Sequence, residues 1–169
     1  MKKNLLFISA CIGICYLISL FAQTDPDTAL LKASLKGDHN AIIKLIKFTG
    51  ADINTKDTQG RTPLMISALY DKIETARELL EYEPALNLQD NTGNTALMLA
   101  VTYVTGRRNR ITENSYEIAR TLLQHGADPT IKNKHGKTAL DLVREKKLDT
   151  IGKKTIELLK RYEKDFYHI

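Results

Sequence analysis

The chain has 169 residues, a length that suits one domain of ordinary size with a short appendage and leaves little room for a second domain. Hydrophobic residues make up 43% and charged residues 27%, close to the averages of soluble globular proteins, which excludes wholesale disorder. The formal net charge of +5 falls well short of the clustered basic stripe that nucleic-acid binding requires, so we expect no nucleic-acid partner.

The first 22 residues differ from everything that follows. Lys2 and Lys3 form a short positive start, residues 5–21 are apolar apart from small or weakly polar side chains, and the chain then turns abruptly polar. This layout is typical of a secretory signal peptide. We therefore predict a signal peptide over residues 1–22, cleavage after Ala22 and export to the periplasm. Loss of the two lysines would lower the formal net charge from +5 to +3.

The same segment admits two alternatives. The apolar run over residues 5–21 is just long enough to stay in a membrane as an uncleaved anchor. Residues 8–11 resemble the box before a lipid-modified cysteine, but most of the apolar run would then lie on the mature side, contrary to the usual layout. Cys11 and Cys15 both lie in this segment, so a chain cut after Ala22 has no cysteine for a disulfide, a thiol nucleophile or a metal site.

An internal repeat follows the leader. The motif Gly-Arg-Thr-Pro-Leu at 60–64 recurs 33 residues later as Gly-Asn-Thr-Ala-Leu, and 43 residues after that as Gly-Lys-Thr-Ala-Leu. A degenerate copy, Thr-Ala-Leu, lies at 28–30. In the same register, a pair of large aliphatic residues follows each copy, at 45–46, 79–80, 122–123 and 158–159. Recurrence of several motifs in one register, at intervals of 33 and 43 residues, predicts a repeat architecture.

These motifs resemble the ankyrin repeat, whose pattern runs Asp-x-x-Gly-x-Thr-Pro-Leu, then Leu-Leu and a closing Gly-Ala-Asp, present here at 50–52 and 126–128. The resemblance covers about Thr28 to Tyr162. It implies an all-α fold, a solenoid of about four helix-turn-helix repeats with β-hairpin-like connecting loops. We place the ankyrin-repeat domain at residues 23–169, with repeats at approximately 25–57, 58–90, 91–133 and 134–165.

The sequence departs from the family pattern at several positions. Met65 and Met98 stand where a histidine usually follows the Thr-Pro-Leu motif, and one copy of the motif keeps the proline. The second repeat has Glu-Pro-Ala at 83–85 where Gly-Ala-Asp is expected. These changes loosen individual turns but leave the register of the repeat intact.

Elementary helix chemistry supports the same elements. Thr62 can cap a helix that begins with Pro63, where a missing amide donor costs nothing. A second helix presents an apolar stripe made of Ile73, Ala76, Leu79 and Leu80. One such helix pair cannot bury its own apolar face, so the pairs must stack.

The third repeat contains ten extra residues between its two helices, around Val104 to Ser115. The centre of this insertion is basic, with Arg107, Arg108 and Arg110. It is either a solvated loop extension or extra helical turn, which surface connections tolerate well, or a contact specific to the partner.

No constellation of residues predicts catalysis. The four histidines lack metal-ligand spacing, and His125 resembles the helix-end residue that precedes Gly-Ala-Asp in ankyrin repeats. Gly-rich phosphate loops and the Gly-x-Ser-x-Gly elbow are not found in the sequence. We therefore predict no catalytic, cofactor-binding or metal-binding residue and no small-molecule substrate, and interpret the protein as not an enzyme.

The resemblance implies a binding surface made of the hairpin tips and the exposed side of the first helices, which line a concave face. Tyr70 and Tyr103 lie one repeat apart and would form either an exposed aromatic strip or a packed pair filling a groove between repeats. The predicted partner contacts in full are Arg61, Tyr70, Asn94, Tyr103, Arg107, Arg108, Arg110, Lys134, His135 and Lys137.

The function implied by the resemblance is that of a non-enzymatic protein–protein interaction module in the periplasm, monomeric by itself, whose partner is another protein. It would contact a membrane only through an uncleaved leader. The alternative is a secreted effector that binds host proteins.

Overall fold

The computed structural model describes residues 25–102, 111–146 and 149–166. The predicted signal peptide, Tyr103 and the three arginines of the insertion lie outside these ranges. The described ranges contain α-helices and a π-helical turn but no strand, and none of their helices combines the length and apolarity that a membrane span requires. The predicted all-α fold is confirmed.

The described helices form four successive pairs. Pair one consists of α1 (Pro26–Lys36) and α2 (His39–Lys44), which continues as a π-helical turn (Leu45–Thr49). The other pairs are α3 (Pro63–Leu69) with α4 (Ile73–Leu80), α5 (Ala96–Thr102) with α6 (Glu113–Gln124), and α7 (Ala139–Arg144) with α8 (Thr150–Phe166).

The pairs stack into a two-layered solenoid. The first helices α1, α3, α5 and α7 contact one another in sequence and form one layer, while α2, α4, α6 and α8 form the other. Between the layers runs one continuous apolar core, which extends from Leu30 to Leu159. Residues 23–169 therefore contain every residue of the described core. Its largest fully buried side chains include Leu30, Ile42, Leu64, Leu79, Leu97, Ile118, Leu122, Val143 and Leu159.

Threonines start three of the first helices. The hydroxyls of Thr62, Thr95 and Thr138 each accept a hydrogen bond from the backbone amide three residues further on, over 3.3 to 3.4 Å. Each hydroxyl satisfies an amide that has no partner inside its own helix. The predicted cap at Thr62, with Pro63 at the first helical position, is confirmed.

The family's histidine position is occupied by core methionines. Met65 and Met98 are both buried, so the substitution exchanges a polar ring for a flexible apolar chain in the helix layer. The Met65 sulfur also accepts a hydrogen bond from the Thr62 backbone amide, and so takes part in capping α3. This departure from the pattern thus preserves both the core and the start of the helix.

The second helices end in left-handed residues. Gly50 and Gly126 have φ values of +69° and +94°, as expected for glycines that terminate helices. In the second repeat, where the Gly-Ala-Asp motif is missing, Glu83 has a φ of +50°. The turn is therefore kept at this position, at the expense of a backbone conformation that side chains other than glycine rarely adopt.

Candidate functional site

Three hairpins project from one edge of the stack, and one side chain shapes each of them. The Oδ1 atoms of Asp57, Asp90 and Asn133 accept hydrogen bonds from the backbone amides two and four residues further on, over 2.8 to 3.1 Å. An amide oxygen accepts these bonds as a carboxylate oxygen does, so asparagine can take the place of aspartate in the third hairpin.

The three hairpins are joined by backbone hydrogen bonds. The amide of Asn91 donates to the carbonyl of Gln59 over 2.9 Å, and the amide of Lys134 donates to the carbonyl of Thr92 over 3.1 Å. The Asn91 side chain adds a bond of 3.0 Å to the carbonyl of Thr58. The tips are therefore fixed relative to one another. We call these three linked turns, residues 57–61, 90–94 and 133–137, the hairpin edge.

Side chains at the base of the hairpins also cross between repeats. The Gln89 amide donates to the carbonyl of Lys132 over 3.0 Å, and the Asn133 amide donates to Asn94 Oδ1 over 2.9 Å. Asn94 Nδ2 in turn donates to the Thr92 hydroxyl. Asn94, predicted as a partner contact, is half-buried. Both Oδ1 and Nδ2 of its side chain take part in these internal bonds.

Arg61 lies between an acid and a tyrosine. Its guanidinium donates to Asp57 Oδ2 over 2.7 to 2.8 Å and also hydrogen bonds to the Tyr70 side chain. Burial alone would raise the pKa of Asp57, but hydrogen bonds from the Arg61 side chain and from backbone amides outweigh it, so the pKa of Asp57 is lowered. Burial likewise opposes the charge on Arg61, but the bond to Asp57 raises the pKa of Arg61.

Tyr70 caps the end of α3 and is half-buried. The predicted aromatic strip needs Tyr103 as well, which lies outside the described residues, so both interpretations of the pair stay predictions. The structure adds a contact that the sequence did not suggest, because Tyr70 is held by Arg61 from the hairpin of its own repeat. Two predicted partner contacts therefore lie together beside Asp57.

The third hairpin presents a basic tip. Lys132, Lys134 and His135 are exposed. The side chains of Lys134 and His135 have no hydrogen bond or ion pair to other described residues, whereas their backbone amides hold the turn. Lys137 forms an ion pair of 2.6 Å with Glu145, a contact of small energetic weight because both side chains are well exposed.

Part of the ten-residue insertion of the third repeat is helical. Helix α6 begins at Glu113 and has 12 residues, against 8 in α4. Ser115, assigned to the insertion, lies buried in the first turn of α6, where its amide donates to the hydroxyl of the capping residue Thr112. Part of the insertion therefore extends a helix, in keeping with the interpretation as extra helical turn.

Neighbouring repeats hold both flanks of this insertion. Before it, the carbonyl of Thr102 at the end of α5 accepts a bond of 2.9 Å from the Lys146 ammonium of the last repeat. After it, the Asp71 carboxylate of the second repeat accepts bonds from the hydroxyls of Thr112 and Ser115. Sequence reasoning missed these anchors, since the partners lie 41 to 44 residues apart.

The histidine at the end of α6 has a structural role. The ring Nδ1 of His125 lies 2.8 Å from the carbonyl of Thr121, and a carbonyl only accepts, so this nitrogen carries the proton. Within the described ranges, no group of three or more histidine, cysteine and acidic side chains is placed to hold a metal ion.

Comparison with known sequences decides the family. The family model for ankyrin repeats, built on three copies, matches residues 30–133. The chain belongs to the ankyrin repeat family. The resemblance predicted from the motifs is thereby confirmed, and proteins of this family generally act in protein–protein interactions.

Several relatives share the ankyrin repeats. The Escherichia coli (strain K12) ankyrin repeat protein YahD is 30% identical over 154 residues, covering 74% of this chain and 76% of YahD. The Rattus norvegicus transient receptor potential cation channel subfamily V member 6 is 39% identical over 66 residues, covering 39% of this chain and 9% of the channel. Alpha-latrotoxin-Lg1a of Latrodectus geometricus is 29% identical over 127 residues, covering 73% of this chain and 8% of the toxin.

The similarity to the channel and the toxin concerns a small part of each, since the chain spans about a tenth of their length. It bears on the ankyrin repeats and not on ion conduction or toxicity. Among the predicted contacts in the described residues, Lys134 and His135 are exposed and unpaired, Lys137 is exposed over 40% of its side chain but paired with Glu145, and Arg61, Tyr70 and Asn94 are half-buried.

Proposed function

We propose that this ankyrin repeat protein is a non-enzymatic module that acts in the periplasm and binds another protein through the hairpin edge and the concave face. The observation that carries the proposal is the ladder of bonds from Gln59 to Asn91 and from Thr92 to Lys134. It fixes three hairpin tips before any partner arrives, so that binding need not order them.

The charge of the hairpin edge favours an acidic patch on the partner. At the third hairpin, Lys132, Lys134 and His135 are exposed, whereas Arg61 at the first hairpin is neutralised by Asp57. The edge therefore becomes more basic toward the last repeat. Such a gradient orients an approaching acidic surface and raises its association rate more than its final affinity.

The proposed location rests on the leader, whose positive start, apolar run and small residue at Ala22 match an export signal. The same leader serves a protein that leaves the cell, so the secreted effector that binds host proteins is the competing proposal. The two differ in where the mature protein accumulates.

The test is capture of a partner from native periplasmic extract by immobilised residues 23–169. A Lys134→Ala/His135→Ala variant removes two exposed tip side chains and leaves the backbone bonds of the turn in place. A Lys153→Ala/Lys154→Ala variant is the matched control, since both lysines are exposed on α8, outside the hairpin edge. We expect one stoichiometric partner, bound equally by parent and control and at least about tenfold more weakly by the tip variant.

Equal capture by both variants would contradict a site at the third hairpin. No capture from periplasmic extract, with the protein recovered from the culture medium, would replace the periplasmic proposal by the secreted one. Turnover of a substrate in the captured material, lost on mutation of this chain alone, would contradict a non-enzymatic role.

A further inference from the structure

The first repeat exposes large apolar side chains at the N-terminal end of the stack. Phe48, in the π-helical turn after α2, is 81% exposed, and Leu35, near the end of α1, is 46% exposed. Elsewhere in the described residues, the large hydrophobic side chains are mostly buried or half-buried. Covering so exposed an aromatic ring with another apolar surface would be favourable.

Between α1 and α2, on the same end, lies an open groove of about 380 Å³. Lys44 and Leu45 follow Ala41 by three and four residues, and Phe48 follows them by four and three, so these residues lie toward one face of their helix. Small and apolar residues form much of the groove, namely Ala29, Ala33, Ala41 and Leu45, and charged residues complete its lining, namely Lys32, Lys36, Lys44 and Asp38.

The carboxylates of the first repeat accept hydrogen bonds from backbone amides, whereas the lysines of the groove form no ion pair with other described residues. The Asp38 carboxylate accepts a bond of 3.0 Å from the Ala41 amide, and the Asp27 carboxylate accepts one of 2.7 Å from the Asp52 amide. By contrast, Lys32, Lys36 and Lys44 are exposed and form no ion pair with other described residues. With three lysines against the one carboxylate of Asp38, the lining of the groove therefore keeps an excess of positive charge for an external ligand.

We propose that this end of the stack binds the surface of an anionic phospholipid bilayer. Phe48 and Leu35 would enter the interface between headgroups and acyl chains, while Lys32, Lys36 and Lys44 contact lipid phosphates. Exposed aromatic and aliphatic side chains in the same repeat as unpaired lysines are the combination that holds peripheral proteins on such membranes.

Two further observations favour a bilayer. A second copy docked symmetrically on the same face would bring its lysines against those of the first, which is unfavourable. The apolar segment 5–21 precedes α1, so an uncleaved leader would also bring this end of the stack toward a bilayer. The proposal concerns the folded repeats themselves and does not depend on the leader, so it departs from the expectation that the chain would contact a membrane only through an uncleaved leader.

The membrane-binding end and the hairpin edge are formed by different residues, so each proposal can fail without the other. Failure to bind vesicles would leave capture of a partner at the hairpin edge unaffected. A bilayer contact through the first repeat would leave the hairpins of the later repeats available.

The experiment uses residues 23–169, which contain the whole described core and lack the apolar leader. Because the chain has no tryptophan, a Phe48→Trp variant carries a single tryptophan at the proposed contact. We expect its emission to shift to the blue and to be quenched by brominated lipid when phosphatidylglycerol is present in phosphatidylcholine vesicles. Pure phosphatidylcholine vesicles should leave it nearly unchanged.

Charge variants test the lysines. Lys32→Gln/Lys36→Gln/Lys44→Gln should lower the vesicle partition coefficient at least about tenfold. Lys153→Gln/Lys154→Gln/Lys160→Gln removes the same charge from exposed positions of α8 and should change it by less than about threefold. Circular dichroism confirms folding. Should the first variant unfold, release of the parent from vesicles at high salt tests the same point, because salt screens these contacts.

The proposal is overturned if residues 23–169 do not sediment with anionic vesicles, or if both charge variants lose binding equally. It is also overturned if the protein binds vesicles while the tryptophan of the Phe48→Trp variant stays unshifted and unquenched. A concentration-dependent dimer that shifts this emission without lipid would assign the face to a second copy instead.

Discussion

The Asp71 carboxylate accepts a hydrogen bond of 2.7 Å from the hydroxyl of Thr112, the residue that caps α6. Asp71 belongs to the second repeat and has a φ of +60°, which turns the chain sharply after α3. Thr112 follows the insertion of the third repeat. The bond therefore fixes the start of α6 whatever path the inserted residues take, so the stack continues in register after the insertion.

Replacing Asp71 by asparagine should weaken this attachment. Asparagine tolerates the left-handed backbone as aspartate does, so Asp71→Asn changes the acceptors without new backbone strain. We expect the free energy of unfolding to fall by about 1 to 2 kcal/mol, because one of the two hydroxyls keeps only a neutral acceptor and the other loses its acceptor. Urea denaturation followed by circular dichroism measures the change.

A double-mutant cycle with Ser115→Ala provides the control. The Ser115 hydroxyl donates to the same carboxylate over 2.9 Å, so the effects of Asp71→Asn and Ser115→Ala should be less than additive by at least about 0.5 kcal/mol. Fully additive effects would mean that the two side chains do not interact in solution.

The ion pair of Asp57 and Arg61 should make stability depend on pH. Hydrogen bonds from Arg61 hold the pKa of Asp57 below its ordinary value despite burial, which acts in the other direction. Because the pKa of Asp57 is lower in the folded than in the unfolded protein, its charge stabilises the fold at pH values above the unfolded-state pKa. This stabilisation is lost as the pH falls through the folded-state pKa. Asp57→Asn should therefore cost about 1 kcal/mol near neutral pH, and the difference should shrink as pH falls below about 4.

Asparagine is a suitable replacement because Asn133 already shapes the third hairpin with the same two amide bonds. The turn should thus survive in Asp57→Asn while the ion pair is lost. Thermal unfolding of both proteins across the acid range measures the difference, and a constant difference at every pH would rule out a contribution from the charge of Asp57.

Most of the fold could be predicted because its signals are local and periodic. Thr62 with Pro63, and the leucine pair at 79–80, mark the start of one helix and the stripe of the next within a single repeat. Each signal recurs in the neighbouring repeats, so the register follows even where one copy is degenerate. The motif around Thr138 lies 43 residues after that around Thr95, and Thr138 caps its helix as Thr62 does.

The contacts between repeats could not be predicted in the same way. Asp71 and Thr112 are 41 residues apart, an offset that depends on how the insertion is divided between loop and helix. The sequence showed ten extra residues but not that α6 would begin at Glu113. Likewise, Arg61 resembles an exposed tip residue in sequence, and its bond to Tyr70 at the end of α3 depends on the folded structure.

The predicted signal peptide determines where the mature protein should begin. If the leader is removed after Ala22, protein purified from the periplasm should begin Gln-Thr-Asp-Pro-Asp, the sequence of residues 23–27. N-terminal sequencing and intact mass measure this. A full-length chain that resists extraction by alkaline carbonate would indicate the uncleaved anchor, and a lipid adduct on Cys11 would indicate the lipoprotein.

Substitution of Gly93 should show whether the second and third hairpins are stacked in solution. This glycine has a φ of +81°, and a Cβ there would lie 2.7 Å from the backbone nitrogen of Lys134, in the adjacent hairpin. Gly136 has a φ of +71° in the equivalent turn of the next repeat, but a Cβ there would meet nothing within 4 Å. Gly136→Ala therefore introduces backbone strain alone, whereas Gly93→Ala adds a steric clash with backbone that cannot rotate away.

We expect Gly136→Ala to lower the free energy of unfolding by about 1 to 2 kcal/mol. Gly93→Ala should lower it by at least about 1 kcal/mol more, because the amide of Lys134 must move away from the carbonyl of Thr92 to make room. Urea denaturation of the two variants gives the difference directly. Equal losses would mean that the second and third hairpins are not in contact in solution, and the preformed hairpin edge on which partner binding is proposed would then not exist.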